Sequence, residues 1–170
     1  FDKDPQVKEF ALRVRDFINS EVFQHEPELN PDSHGINPDL RVALQVNARA
    51  ANVFAPTAPK EFGGHGFNHV AQAVILEESG RSLLGPTALN CAAPDEGNIL
   101  LLNKIATPAQ RAKYLAPLSR GEIRSSFAMT EPSPGAGADP NLLSTTAEKT
   151  ASGWVINGNK WLITGADGAG

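Results

Sequence analysis

The sequence predicts a mainly α fold: a helical domain over residues 1–121, followed by the start of a β domain over 122–170. Two observations carry this. Up to Leu118 the apolar residues recur at spacings of three and four, the period of a helix face. After Gly121 the apolar runs become short, rich in Thr, Val, Ile and Trp, and separated by turn residues, as in strands. The 170 residues suffice for one domain or one and a half.

Val7, Phe10, Ala11, Val14, Phe17 and Ile18 define the first amphipathic helix, with Pro5 near its start and an end expected before Pro27. Residues 27–38 are rich in Pro, Asn, Asp and Gly and read as loop. A second helix runs from Asp39 to about Ala51 through Leu40, Ala43, Leu44 and Val46. The stretch 55–66 is loop again. Asn68 is placed to cap a third helix that reaches about Arg81, with Gly80 weakening its last turn. Pro86 starts a further short helix. Residues 94–105 carry Ile99, Leu100, Leu101 and Leu102, nearly apolar all round, so this helix is expected in the middle of a bundle. Thr107 and Pro108 supply a cap and a first-turn proline for a last helix closed by Gly121.

Four strand-like runs follow: 123–129, 142–148, 153–156 and 160–163, with Asn157-Gly158 as a hairpin signal. Trp154 and Trp161 are expected to be packing residues. The last strand has nothing after it to pair with, and a lone pair of strands is marginal in water. The sequence is therefore expected to be an N-terminal piece of a longer protein.

Composition narrows function. Hydrophobic residues make up 41% and charged residues 20%, an ordinary balance for a globular protein. A net charge of −4 and a pI near 5.5 exclude a basic nucleic-acid surface. No apolar run approaches the ~20 residues that span a bilayer. The single cysteine, Cys91, cannot form an internal disulfide and is expected to be a small buried hydrophobe. His65 and His69 have the i, i+4 spacing of a zinc pair but no evident third ligand, and they are read as solvated loop histidines. No P-loop pattern is present, and the glycines at 63–66 read as a surface turn entering a helix.

The candidate site lies in the β region. Thr130 and Thr164 each end a strand-like run, where hydroxyls and backbone amides can hold a flat polar ring. Between them a loop with Gly135, Ala136 and Gly137 can offer N–H groups to a phosphate. Glu131 is a candidate base, but Pro132 beside it suggests a structural turn.

These residues resemble the acyl-CoA dehydrogenase family of flavoproteins. The match rests on Phe127-Ala-Met-Thr-Glu-Pro132, a glycine loop ending at Asp139, Gly153-Trp-Val-Ile-Asn-Gly-Asn-Lys160 and Ile163-Thr164. Phe62-Gly-Gly and Glu77-Glu78 are similar to the family's first loop and the helix after it. The run from Asn90 to Asn98 is similar to the branch acting on longer or modified acyl chains, including 4-hydroxyacyl-CoAs. The resemblance implies an N-terminal up-down helical bundle followed by the first strands of a β-barrel-like domain. It implies FAD-dependent α,β-dehydrogenation of an acyl-CoA thioester, as in fatty acid β-oxidation. Phe127, Met129, Thr130, Gly137, Ala138, Leu162, Ile163 and Thr164 are then expected at FAD, and Ala138, Asn98 and Leu101 at the substrate. The catalytic base is expected in a C-terminal domain outside this chain, so neither Glu131 nor Glu78 takes that role. An electron-transferring flavoprotein is the implied electron acceptor, and a homotetramer the implied assembly. The expected location is cytoplasmic if the source is bacterial, and mitochondrial or peroxisomal if it is eukaryotic.

The same fold also admits an oxidase, a flavin monooxygenase or a scaffold without flavin. Three departures from the family pattern bear on this. The loop from Pro132 to Asp139 is two residues longer than the common form, Ala138 replaces a frequent Ser, and Leu162 replaces an aromatic residue.

Overall fold

The computed structural model describes residues 4–29, 36–135 and 137–169. The middle of the first loop, with His34, and Ala136 of the glycine loop lie outside the described residues.

Helix α1, Pro5–Phe17, starts where Asp4 accepts a hydrogen bond from the Gln6 amide and Pro5 presets the first turn. Its apolar face buries Val7, Phe10, Val14 and Phe17. The helix does not stop as the composition suggests. The chain stays wound through a π turn, Ile18–Val22, and a 3₁₀ turn, Phe23–Glu28, which contains Pro27. Ile18 and Val22 are fully buried, so the core extends the winding beyond what local propensity indicates.

Helix α2, Pro38–Ala50, is capped by Asn37, and α3, His69–Ser79, by Asn68, whose side chain accepts from the Ala71 amide at 2.9 Å. Helix α4, Gly85–Ala88, is one turn long. Helix α5, Asp95–Ile105, follows, and then α6, Pro108–Gln110, a π turn at Arg111–Leu115, and α7, Ala116–Ser119. Thr107 and Gln110 form the reciprocal capping box that satisfies two orphan amides at the start of this last run. Helix α1 packs on α3, α2 on α4, and α5 on the π turn at 111–115. Phe10, Leu44, Ile75, Leu89, Ile99 and Leu115 meet in one core, each contributing about 1.5–3 kcal/mol by burial.

Helix α5 departs from expectation. Only Asp95 and Ile99 are buried; Leu100 is 50% exposed and Ile105 69%. Leu100 points about 100° round the helix from Ile99, onto a side that stays half exposed.

His65 is not a solvated loop residue. Its ring lies edge-on to Phe10 at 4.5 Å and stacks on Phe67 at 5.8 Å. Desolvation, reinforced by Arg13, pushes its pKa down, so the ring stays neutral and serves as packing. Glu78 is likewise structural: it is buried and takes both Arg15 Nε and Nη2. Cys91 is buried, and desolvation pushes its thiol up to about 12. It should therefore resist iodoacetamide in native protein and react only after denaturation, which peptide mass mapping checks.

The β region is smaller than expected. Strands β1, Thr146–Thr150, and β2, Gly153–Asn157, form one antiparallel hairpin with Thr146 opposite Asn157 and Thr150 opposite Gly153. The turn is Ala151-Ser152, not Asn157-Gly158. A hairpin at Asn157-Gly158 needs 159–163 to return alongside β2, but Trp161 instead donates its amide to Thr130 O at 3.2 Å. The runs 123–129 and 160–163 form no strand, because a strand needs a ladder partner and neither finds one among the described residues; Leu162 also leaves the extended conformation, with a φ of 51°. Both faces of the hairpin are exposed. Trp154 is 64% exposed and Trp161 49%, so neither packs into a core here.

Candidate functional site

Two segments that lie far apart in the sequence meet beside the helical domain. The segment 127–130 runs past 161–164, joined by the bond from the Trp161 amide to Thr130 O. Between them lies a groove of about 230 Å³ lined by Phe127, Met129, Thr130, Leu162, Ile163 and Thr164. Six of the eight residues expected at a cofactor therefore converge. Ala93 and Pro94, just ahead of α5, close the remaining wall. The sequence reading missed these two. Pro94 was legible as a helix start, and nothing local marks it as a wall.

The lining is apolar with two hydroxyls. Among the described residues neither the Thr130 nor the Thr164 hydroxyl has a protein partner, and neither has the Thr130 amide. Leu162 is 80% exposed and holds φ 51°, a left-handed conformation costing a leucine about 1 kcal/mol. Such strain persists where surrounding structure enforces it and is concentrated at functional sites. Apolar walls with a few polar donors at one edge suit a flat ring whose edge carries acceptors.

The groove is held by Glu131, which is 2% exposed. Its Oε2 accepts from the Ser144 amide at 2.8 Å and hydroxyl at 2.7 Å; its Oε1 accepts from the Thr145 amide at 2.9 Å and hydroxyl at 2.5 Å. Lys160 Nζ adds a third contact to Oε1 at 2.9 Å. These donors, the Thr145 hydroxyl foremost and then Ser144 and Lys160, hold the carboxyl far below the usual carboxylate range. Glu131 is thus a fixed anion and cannot take a substrate proton at neutral pH. Pro132 beside it marks the structural turn that the sequence suggested.

The helical domain grips the other end of the segment. Asp95 Oδ1 accepts from both the amide and the hydroxyl of Ser125 at 2.7 Å. Asn98 Nδ2 donates to Ser125 Oγ at 2.8 Å and Ser126 O at 3.3 Å. Asn98 is therefore bound to 125–126 and does not line the groove, and neither does Leu101. Gly137 and Ala138 also stand outside it. Gly137 is tied back by the Glu131 amide, which donates to its carbonyl at 3.0 Å. A larger cleft of about 500 Å³ between α1 and α2 is open and lined by solvated charges of both signs, and none of the expected site residues reaches it.

Comparison with known proteins bears on the whole chain. The family described as "Acyl-CoA dehydrogenase, N-terminal domain" matches residues 4–122, and "Acyl-CoA dehydrogenase, middle domain" matches residues 126–170. Acyl-CoA dehydrogenase family member 10 of Mus musculus is 36% identical over 95% of this chain, which covers 16% of that protein. A Mycobacterium abscessus structure described as an acyl-CoA dehydrogenase superposes with a TM-score of 0.86 at 33% identity, over 97% of this chain and 44% of its own. An acyl-CoA dehydrogenase from Bacillus anthracis, solved complexed with FAD, gives 0.73 at 30% identity, over 99% of this chain and 28% of its own. The chain spans less than half the length of each of these relatives. With a helical domain and a β segment matched in order along nearly its full length, this chain belongs to the acyl-CoA dehydrogenase family.

Proposed function

We propose that this chain supplies the flavin- and acyl-chain-contacting part of an FAD-dependent acyl-CoA dehydrogenase, which introduces an α,β double bond into an acyl-CoA thioester. The observation that carries this is the groove itself: apolar walls at Phe127, Leu162 and Ile163, with the Thr130 and Thr164 hydroxyls and the Thr130 amide among the polar groups that have no protein partner among the described residues. The FAD in the Bacillus anthracis relative supports the choice of ring. Bound there, FAD would accept hydride from the acyl β carbon. The Thr130 amide and hydroxyl would donate to the ring's polar edge. Thr164 would donate near its reactive nitrogen and stabilise charge there. Phe127, Met129, Leu162 and Ile163 would sandwich the ring and exclude water.

Gly137 and Ala138 would lie by the phosphates or CoA, offering backbone amides where Ala138 has no hydroxyl. Asn98 and Leu101 would reach the acyl chain only through an element that covers α5. None of the residues lining the groove carries a carboxylate. As the family resemblance implies, the α-proton base would come from a C-terminal domain outside these 170 residues, and the isolated chain would be inactive. An electron-transferring flavoprotein would take the electrons, and the whole protein would assemble as a homotetramer. Its setting would be cytoplasmic in a bacterium, or mitochondrial or peroxisomal in a eukaryote.

Removing the two hydroxyls tests the reading. Thr130→Val and Thr164→Val in the full-length protein should each weaken FAD binding roughly three- to tenfold. Thr164→Val should in addition lower the flavin reduction potential. Fluorescence titration of FAD and a potential measurement against reference dyes check both. Unchanged affinity and potential in the double variant would reject the placement.

A further inference from the structure

Lys160 leaves the end of β2 and turns inward, with only 21% of its side chain exposed. Its ammonium donates to Met129 O at 2.8 Å and to Glu131 Oε1 at 2.9 Å. The Met129–Thr130 peptide is trans, so its C=O and N–H lie in one plane and point in opposite directions. Met129 and Thr130 line the groove and Lys160 does not. Pinning the carbonyl on Lys160 therefore points the Thr130 N–H away from Lys160. The next carbonyl, Thr130 O, is held by the Trp161 amide at 3.2 Å. Both carbonyls that frame Thr130 are thus held, while its amide has no partner among the described residues.

We infer that Lys160 is a positioning residue: through the Met129 carbonyl it fixes the orientation of the Met129–Thr130 peptide and so presents the Thr130 N–H to an acceptor in the groove. The inference rests on the flavin reading above only for the identity of that acceptor. A peptide in extended coil, outside any ladder, can reverse its plane by compensating rotations at the flanking bonds. An ammonium on its carbonyl opposes that reversal. The cation also polarises the amide and makes the N–H a stronger donor. Glu131 makes the arrangement tolerable in a half-buried place. Its negative charge compensates the ammonium, and its Ser144 and Thr145 donors keep it from moving. A neutral side chain at 160 could neither hold the carbonyl as firmly nor balance Glu131.

The test uses Lys160→Met and Lys160→Arg in the full-length protein. Labelling Met with carbonyl ¹³C and Thr with ¹⁵N leaves only Met–Thr peptides visible, and Met129, the only methionine of these 170 residues, contributes one such signal. In the apo protein, Lys160→Met should shift the Met129–Thr130 signal, while Lys160→Arg, which keeps a cationic donor, should return it toward the wild-type position. Titrated with FAD, Lys160→Met should bind about tenfold or more weakly, as expected for loss of a charge-assisted contact, and Lys160→Arg should recover part of the loss. An unmoved apo signal in Lys160→Met overturns the inference. So does an Arg variant that matches Met in both readouts, since that outcome assigns Lys160 to general folding. Wild-type protein that takes up no FAD would refute the flavin reading alone, because the apo signal still decides the role of Lys160.

Discussion

Glu131→Gln should lower the thermal midpoint of the protein by several degrees and disorganise the groove at the same time. Glutamine keeps the size of the side chain but replaces one acceptor oxygen by an NH₂ donor. Oε2 faces the Ser144 amide and hydroxyl, and Oε1 faces the Thr145 amide and hydroxyl together with Lys160. Either orientation of the amide sets a donor against backbone donors, and Lys160 loses its counterion. Buried polar groups left unpaired cost more than the bonds they made. The pH dependence has a definite sign. The folded pKa of Glu131 lies below its unfolded value, so its contribution is fully present above the unfolded carboxylate range, near about 4.3. It is lost progressively as pH falls toward the folded pKa. The gap in midpoint between wild type and Glu131→Gln should therefore be constant from neutrality to about pH 5 and shrink below it. Thermal melts across that range check this; a gap that persists unchanged in acid would show that Glu131 acts by shape alone.

Gly85→Ala should destabilise the helical domain by about 3 kcal/mol or more, at the upper end of overpacking costs. A Cβ at Gly85 would stand 2.0 Å from Ser79 O and 3.0 Å from Ile18 Cδ1. The first is backbone at the end of α3 and cannot swing aside, and the second belongs to a fully buried side chain. Relief requires α4 to part from α3, opening the core at Leu84 and Leu89. Gly97→Ala is the natural control. Gly97 lies inside α5 with nothing within 4 Å of its would-be Cβ, so alanine there should stabilise by about 0.5–1 kcal/mol through helix propensity. Denaturant midpoints of the two variants should move in opposite directions.

The parts of this fold that were legible in the sequence are those set by local chemistry. Asn68 and Thr107 cap helices because a side-chain oxygen three residues ahead of an amide is enough. The stripe of Val7, Phe10, Val14 and Phe17 is written in its spacing. The residues of the groove were legible because Thr130 and Thr164 end matching runs, and the family pattern placed both runs at one ligand. What was not legible depends on partners far along the chain. The runs 123–129 and 160–163 have strand composition, but a ladder needs a neighbour that composition cannot specify. The hairpin turn at Ala151-Ser152 follows from the register of β1 on β2, which outweighed the local signal at Asn157-Gly158. The exposure of Leu100 and Ile105 depends on what covers α5. Glu131 shows the limit most clearly. Its neighbours in sequence suggest only a turn, and its role comes from Ser144, Thr145 and Lys160, none closer than 13 residues.

The proposed role of this groove is to hold FAD for oxidation of an acyl-CoA. The most direct measurement reconstitutes full-length protein with FAD under anaerobic conditions, adds acyl-CoAs of graded chain length and follows the visible absorbance band of the flavin. The protein should be yellow, and its band should bleach with at least one acyl-CoA, with the matching 2-enoyl-CoA formed in equal amount. A protein that takes up no FAD, or one whose band is unchanged by every acyl-CoA in the series, would contradict it.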